Sequence, residues 1–177
     1  MDVLDEQERT PMALSEQMES ALNDQITCEL GASLIYLQMA AHLEGDDRPG
    51  MATWMSAQSE EEAAHAKMFI DFVLARDGRV EIGEVPAPVS KFDSPVHVFE
   101  EALRQERGVT ARIRALYELA TDINDLESLP FLQGFLAEQV EEESVVGSIC
   151  ERLRRVEGNE VGLALIEHEL GSRPAEE

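Results

Sequence analysis

The chain has 177 residues, 14 basic and 37 acidic, with a formal net charge of -23 and 44% hydrophobic residues. This length suits one domain with one core, and the carboxylate excess argues against a phosphate-backbone partner and favours cations, so no nucleic acid is expected. Two cysteines, Cys28 and Cys150, with no CxxC pair and no long apolar run, exclude a disulfide scaffold, a zinc ribbon and a membrane span, and predict a cytoplasmic setting.

The first predicted helix covers 12–43, where Thr10-Pro11 supplies a capping side chain and a proline suited to the first turn. Residues 1–11 form an N-terminal extension. GDDRPG then leads into a second helix over 49–77, closed by Asp77-Gly78. Residues 78–94, with Gly78, Gly83, Pro86 and Pro88, form a link. Extended, such a link reaches roughly 56 Å, more than the roughly 42 Å of a 28-residue helix. Ser94-Pro95 opens a third helix over 95–122, the turn DINDLE a fourth over 127–156, and Gly158 precedes a fifth over 159–170, followed by a flexible tail over 171–177. The short connections predict antiparallel pairs and the long one a crossover. The expected fold is all-α, a four-helix bundle with one long crossover and a short C-terminal fifth helix, in a single domain spanning 1–177.

Alternating spacings of three and four trace a core-facing stripe on each helix. The first reads Met18, Leu22, Gln25, Glu29, Ala32, Tyr36, Met39, Leu43, and the second Met51, Met55, Gln58, Glu62, His65, Phe69, Phe72. The third reads Val96, Phe99, Leu103, Glu106, Thr110, Ile113, Tyr117, Ala120, and the fourth Leu132, Phe135, Gln139, Glu142, Val146, Ile149, Leu153, Val156. Each stripe is apolar at its ends and carries a glutamate near its middle. Four carboxylates and one imidazole are thus expected at one height inside the bundle. Buried carboxylates repel one another and need a counter-charge, yet no Lys or Arg occupies these stripes at that level. Oxygen-rich ligation with one imidazole suits a pair of iron or manganese ions, and Glu62 and His65, three apart, project from one face. The bland alternative is a stripe slipped by one residue, with the glutamates in water.

NDQITCELGASLIYLQMA, SEEEAAHAKMF, LRQERGVT and FLQGFLAEQVEEE resemble the non-haem bacterial ferritins, a likeness that covers about residues 15–170. The resemblance implies a ferritin-like bundle in a shell of 24 identical subunits that oxidises Fe(II) at a dinuclear ferroxidase centre, with dioxygen or peroxide as oxidant, and stores the product as a mineral. It makes Glu29 and His65 ligands of a first iron, Glu62 the bridge, and Glu106 and Glu142 ligands of a second. Gln139 lies beside the oxidant position and Tyr36 near the first iron. A third iron position falls to Glu61, Glu138 and Glu141, shared with Glu142. Bacterioferritins carry a second ExxH on the fourth helix and a methionine two residues before the second-helix histidine. This chain has EQVEE and Ala63 there, so no haem is expected. Gly134 stands where some bacterial ferritins have a tryptophan, and Trp54 does not replace it.

Asp122, Asp125 and Glu127 are candidates for an acidic channel, or else solvated turn residues and caps. His42, His97 and His168 lack partners at metal-binding spacing. Val161, Leu165 and Ile166 give the fifth helix too much apolar surface to stand free, which predicts a subunit junction. Rival readings are a DNA-protecting relative with ligands between subunits, a rubrerythrin-type peroxidase, which needs a cysteine segment absent here, and a catalytically silent helical assembly protein.

Overall fold

The computed structural model describes residues 13–172. Five helices follow in order: α1 Glu16–Gly45, α2 Pro49–Ala75, α3 Pro95–Asp122, α4 Ser128–Arg155 and α5 Glu160–Gly171. Helix α1 packs along α2 and α3 along α4, while α1 also meets α3 and α5 lies mainly on α2. The expected bundle, crossover and short fifth helix are all present. The extension expected over 1–11, and the tail beyond Ser172, lie outside the described residues.

Helix α1 starts later than expected, because Ser15 is its cap and accepts the Met18 amide at 3.1 Å. The Thr10-Pro11 pair lies outside the described residues. Ser94 does cap α3, accepting from the His97 amide, with Pro95 in the first turn. Helix α2 stops at Ala75, and its left-handed residue is Asp77 (φ 55°), where the sequence pointed to the Asp77-Gly78 pair. The Gly78 amide returns to the Val73 carbonyl and the Asp77 amide to that of Leu74. Asp47 and Asn124 end α1 and α3 in the same way, with φ of 56° and 58°. Asp and Asn tolerate this conformation better than other side chains with a Cβ, so three helices end without a left-handed glycine.

The link, observed over residues 76–94, lies against the outer face of α1. Asn23 takes the place of a strand: its Nδ2 donates to the Arg79 carbonyl at 2.8 Å and its Oδ1 accepts from the Glu81 amide at 2.9 Å. Thr27 Oγ1 accepts from the Gly83 amide at 2.9 Å, and Glu19 Oε2 from the Arg79 amide at 3.1 Å. Two extended residues advance roughly 6.6 Å and one helical turn of four roughly 6.0 Å, so contacts recur every four residues of α1 and every two of the link. Further along, Phe92 meets His42, with ring centroids 5.0 Å apart. The crossover therefore travels the length of α1 and starts α3 at the end where α2 began.

Burial divides the interior into three slabs. One apolar cluster joins Tyr36, Met39, Leu43, Met51, Trp54, Phe99 and Val146; another joins Met18, Leu22, Ile26, Phe69, Val73, Ile113, Leu132 and Phe135. Between them lie the polar stripe positions. The α1 stripe is buried throughout. At the far end of α2, Val73 takes the buried place expected for Phe72, which is half-buried and stacks on Phe131 with centroids 4.2 Å apart.

Asp125 is also corrected. It is buried, accepts from Arg76 Nη2 at 3.0 Å and from Ser128 Oγ at 2.8 Å, and so ties the α3–α4 turn to the end of α2. It is unavailable to a channel, whereas Asp122 and Glu127 are exposed. Helix α5 buries Ile166 and Leu170 while Val161 and Leu165 stay exposed. Glu167 on α5 accepts the Gly50 and Met51 amides, capping α2, whose own N-terminal residue Arg48 makes no side-chain cap.

Candidate metal centre

The middle slab is built from one turn of each of the four long helices. Glu29, Glu62, His65, Glu106, Gln139 and Tyr36 are all buried. Glu142 is half-buried and accepts from Gln58 Nε2 at 3.2 Å. The mid-stripe glutamates therefore do face inward, and the slipped-stripe alternative falls.

Glu29, Glu62 and His65 form the α1–α2 half of this slab. Each offers a ligand atom, and the three atoms lie within 4.8 Å of one another. His65 Nδ1 is 3.3 Å from Glu62 Oε2. Gln25, one turn before Glu29, donates to Glu29 Oε1 at 2.7 Å, but Glu29 Oε2 is buried without a hydrogen-bond partner. No Lys or Arg side chain among the described residues pairs with Glu29, Glu62 or Glu106. Burial, then the neighbouring Glu62 charge, pushes the Glu29 carboxyl up to about 8. Burial likewise raises Glu62. Burial pulls His65 down, but the Glu138 and Glu62 carboxylates outweigh it and lift the imidazole to about 11.

In the α3–α4 half, by contrast, donors already satisfy the carboxylate. Tyr36 OH donates to Glu106 Oε1, and Gln139 Nε2 donates to Glu106 Oε2 at 3.1 Å. Tyr36 thus reaches the ligand expected on the second iron, although the resemblance placed it near the first. Burial raises Glu106 to about 7 against the pull of these two donors. Burial among these carboxylates also holds the Tyr36 hydroxyl well above its ordinary value. Thr110 Oγ1 lies 2.7 Å from Glu143 Oε1 and 3.3 Å from Gln139 Nε2, so it braces the amide.

Glu61 and Glu138 gather around the other side of His65, their ligand atoms within 4.8 Å of a ring nitrogen and of each other. Glu141 is exposed and is not part of this group. The supporting roles of Gln25, Gln58 and Thr110 were missed in the sequence, though all three sit on the stripes. Their signal is spacing: each of these hydrogen-bonding side chains lies four residues from a stripe glutamate, at Glu29, Glu62 or Glu106.

Hard oxygen donors with one imidazole, an orphaned carboxylate oxygen and, among the described residues, no Lys or Arg paired with Glu29, Glu62 or Glu106 make a set that fits iron. A multivalent cation among Glu29, Glu62 and His65 would both use the free Oε2 and offset the burial and mutual repulsion that raise the acids.

The model of the Ferritin-like domain family matches residues 19–156. The bacterial non-heme ferritin of Staphylococcus haemolyticus (strain JCSC1435) is 36% identical over 164 residues, covering 93% of this chain and 99% of that protein. That of Bacteroides fragilis (strain 638R) is 33% identical over 160 residues, covering 90% and 99%. Among solved structures, an open pore ferritin from the hyperthermophilic archaeon Archaeoglobus fulgidus superposes with TM-score 0.90 at 39% identity, covering 92% of this chain and 99% of that one.

Proposed function

The chain belongs to the ferritin-like domain family, and from this premise we propose that it stores iron, oxidising Fe(II) to Fe(III) at a dinuclear ferroxidase centre inside each subunit. The observation that carries this reading is the buried Glu29, Glu62 and His65 cluster with its unpartnered Glu29 Oε2. In it, Glu29 and His65 hold the first Fe(II), Glu62 bridges, and Glu106 and Glu142 hold the second. Gln139 stands beside the oxidant position, and Tyr36 orients Glu106. Glu61 and Glu138, beside His65, offer a third and weaker position, to which the resemblance would add Glu142 and the exposed Glu141.

Two Fe(II) each give one electron to dioxygen, which takes two protons and leaves as hydrogen peroxide. With peroxide as oxidant, the same two electrons and two protons give two waters. Carboxylates prefer Fe(III) to Fe(II), which favours oxidation, and a single imidazole leaves the ions room for the oxidant and for departure. The oxidised iron then moves to a mineral held by an assembly of identical subunits, 24 in the expected shell.

The test is aerobic oxidation of Fe(II), followed by the growth of ferric absorbance under single-turnover conditions. Glu62→Ala combined with His65→Ala is expected to abolish the fast phase. An unchanged initial rate would overturn the ferroxidase reading and leave a catalytically silent assembly.

A further inference from the structure

His65 is held at both ring nitrogens by carboxylates from two helices. On one side Nδ1 faces Glu62 Oε2 at 3.3 Å, within the group that includes Glu29. On the other, Nε2 faces Glu138 Oε1 of α4 at 3.2 Å. The ring lies edge-on to Phe135, at 5.3 Å between centroids and 81° between planes, so packing adds to the restraint. A neutral imidazole carries one proton, and a nitrogen that binds a cation must be the one without it. For an ion shared with Glu29 and Glu62, that nitrogen is Nδ1, and the proton must then sit on Nε2, against Glu138.

Resting on the ferroxidase reading above, we propose that Glu138 is a positioning residue for the first iron. By accepting the Nε2–H of His65, it fixes the ring's tautomer and angle and turns the Nδ1 lone pair towards the ion. Such outer carboxylates commonly orient metal-binding histidines. With its side chain 39% exposed against 8% for His65, Glu138 stands between the buried ligand and solvent. Its role acts through His65, and is separate from that of a ligand to a third iron, which would depend equally on Glu61.

Anaerobic titration of the full-length assembled protein with Co(II), read by its visible absorption, tests this without turnover. Glu138→Ala is expected to weaken the first Co(II) equivalent by about 10–100-fold and to change its band intensities. Glu138→Gln, whose amide oxygen still accepts from Nε2, is expected to restore most of the affinity, and Glu60→Ala, which removes an exposed α2 carboxylate outside the site, to leave it unchanged. An unaltered Glu138→Ala titration would overturn the proposal. So would Glu138→Gln as weak as Glu138→Ala, since ligation by the carboxylate would then explain the loss, or Glu60→Ala as damaging as either, since general surface charge would then explain it. The underlying reading fails separately, if Glu62→Ala with His65→Ala binds the first equivalent as the natural chain does.

Discussion

The two halves of the polar slab hold the same residue type in opposite conditions. Glu106, between α3 and α4, receives Tyr36 OH on one oxygen and the Gln139 amide on the other. Glu29, between α1 and α2, receives Gln25 on one oxygen and leaves the second buried without a donor. A buried carboxylate with both oxygens hydrogen-bonded is tolerable on its own, whereas one with an orphaned oxygen beside a second carboxylate is balanced here only by the His65 imidazolium and by protons the acids retain. Under the proposed ferroxidase reading, this difference assigns the first ion to the α1–α2 half and the second to the α3–α4 half. Consistent with this, the only imidazole of the slab is on α2 and its second nitrogen is occupied by Glu138.

The sharpest way to break this comparison is to remove one carboxylate from each half. Glu29→Ala is expected to weaken the first Co(II) equivalent beyond the about 10–100-fold that loss of an outer partner costs, whereas Glu106→Ala should act mainly on the second equivalent. Two-step anaerobic titrations of both variants measure this directly, and equal losses on the first step would remove the distinction.

Acidity gives the next largest effect. Glu29 is raised to about 8, so at lower pH it carries a proton that an incoming ion must displace. His65, raised to about 11, holds its extra proton across the same range and adds to the slope. Affinity for the first ion should therefore rise with pH between 6 and 8, by at most about tenfold per unit for each proton released. Glu29→Gln should lose affinity and also reduce that slope. A pH-independent first step in the natural chain would show that the α1–α2 half is not held protonated by burial.

The meeting of the glutamates was already legible in the stripes, because acids midway along four apolar seams face one another in a bundle, while their division into two halves came only with the family resemblance. What the sequence could not show is hydrogen-bond partnership. Gln25 and Gln58 occupy equivalent stripe positions, four residues before Glu29 and Glu62, yet Gln25 bonds within its helix and Gln58 reaches across to Glu142. That choice depends on how far apart the helices stand, which no single-helix pattern contains. The large apolar side chains near the slab, such as Phe69 and Phe135, whose rings stack at 4.5 Å, help set that separation between α2 and α4. Asp125 misled for a related reason: an acidic turn reads as solvated until Arg76, 49 residues away, is folded against it.

The smallest effect on the first ion, and so the finest test of whether the halves are separate, comes from Tyr36→Phe. Removing the hydroxyl deprives Glu106 Oε1 of its donor while leaving the aromatic ring packed against Trp54, at 6.4 Å between centroids. Because the Tyr36 hydrogen bond lowers the Glu106 carboxyl, its loss should raise that group further above about 7. An unsatisfied buried acceptor costs about 1–3 kcal/mol of stability in the metal-free protein, unless it keeps a proton. Glu29, Glu62 and His65 keep all their own contacts, so the first Co(II) step should weaken by less than about threefold. The second should fall by roughly tenfold, which is about one pKa unit of differential interaction. If both steps weakened together, the phenol would be coupling the two ions, and Glu62, the proposed bridge, would be the carboxylate through which it acts.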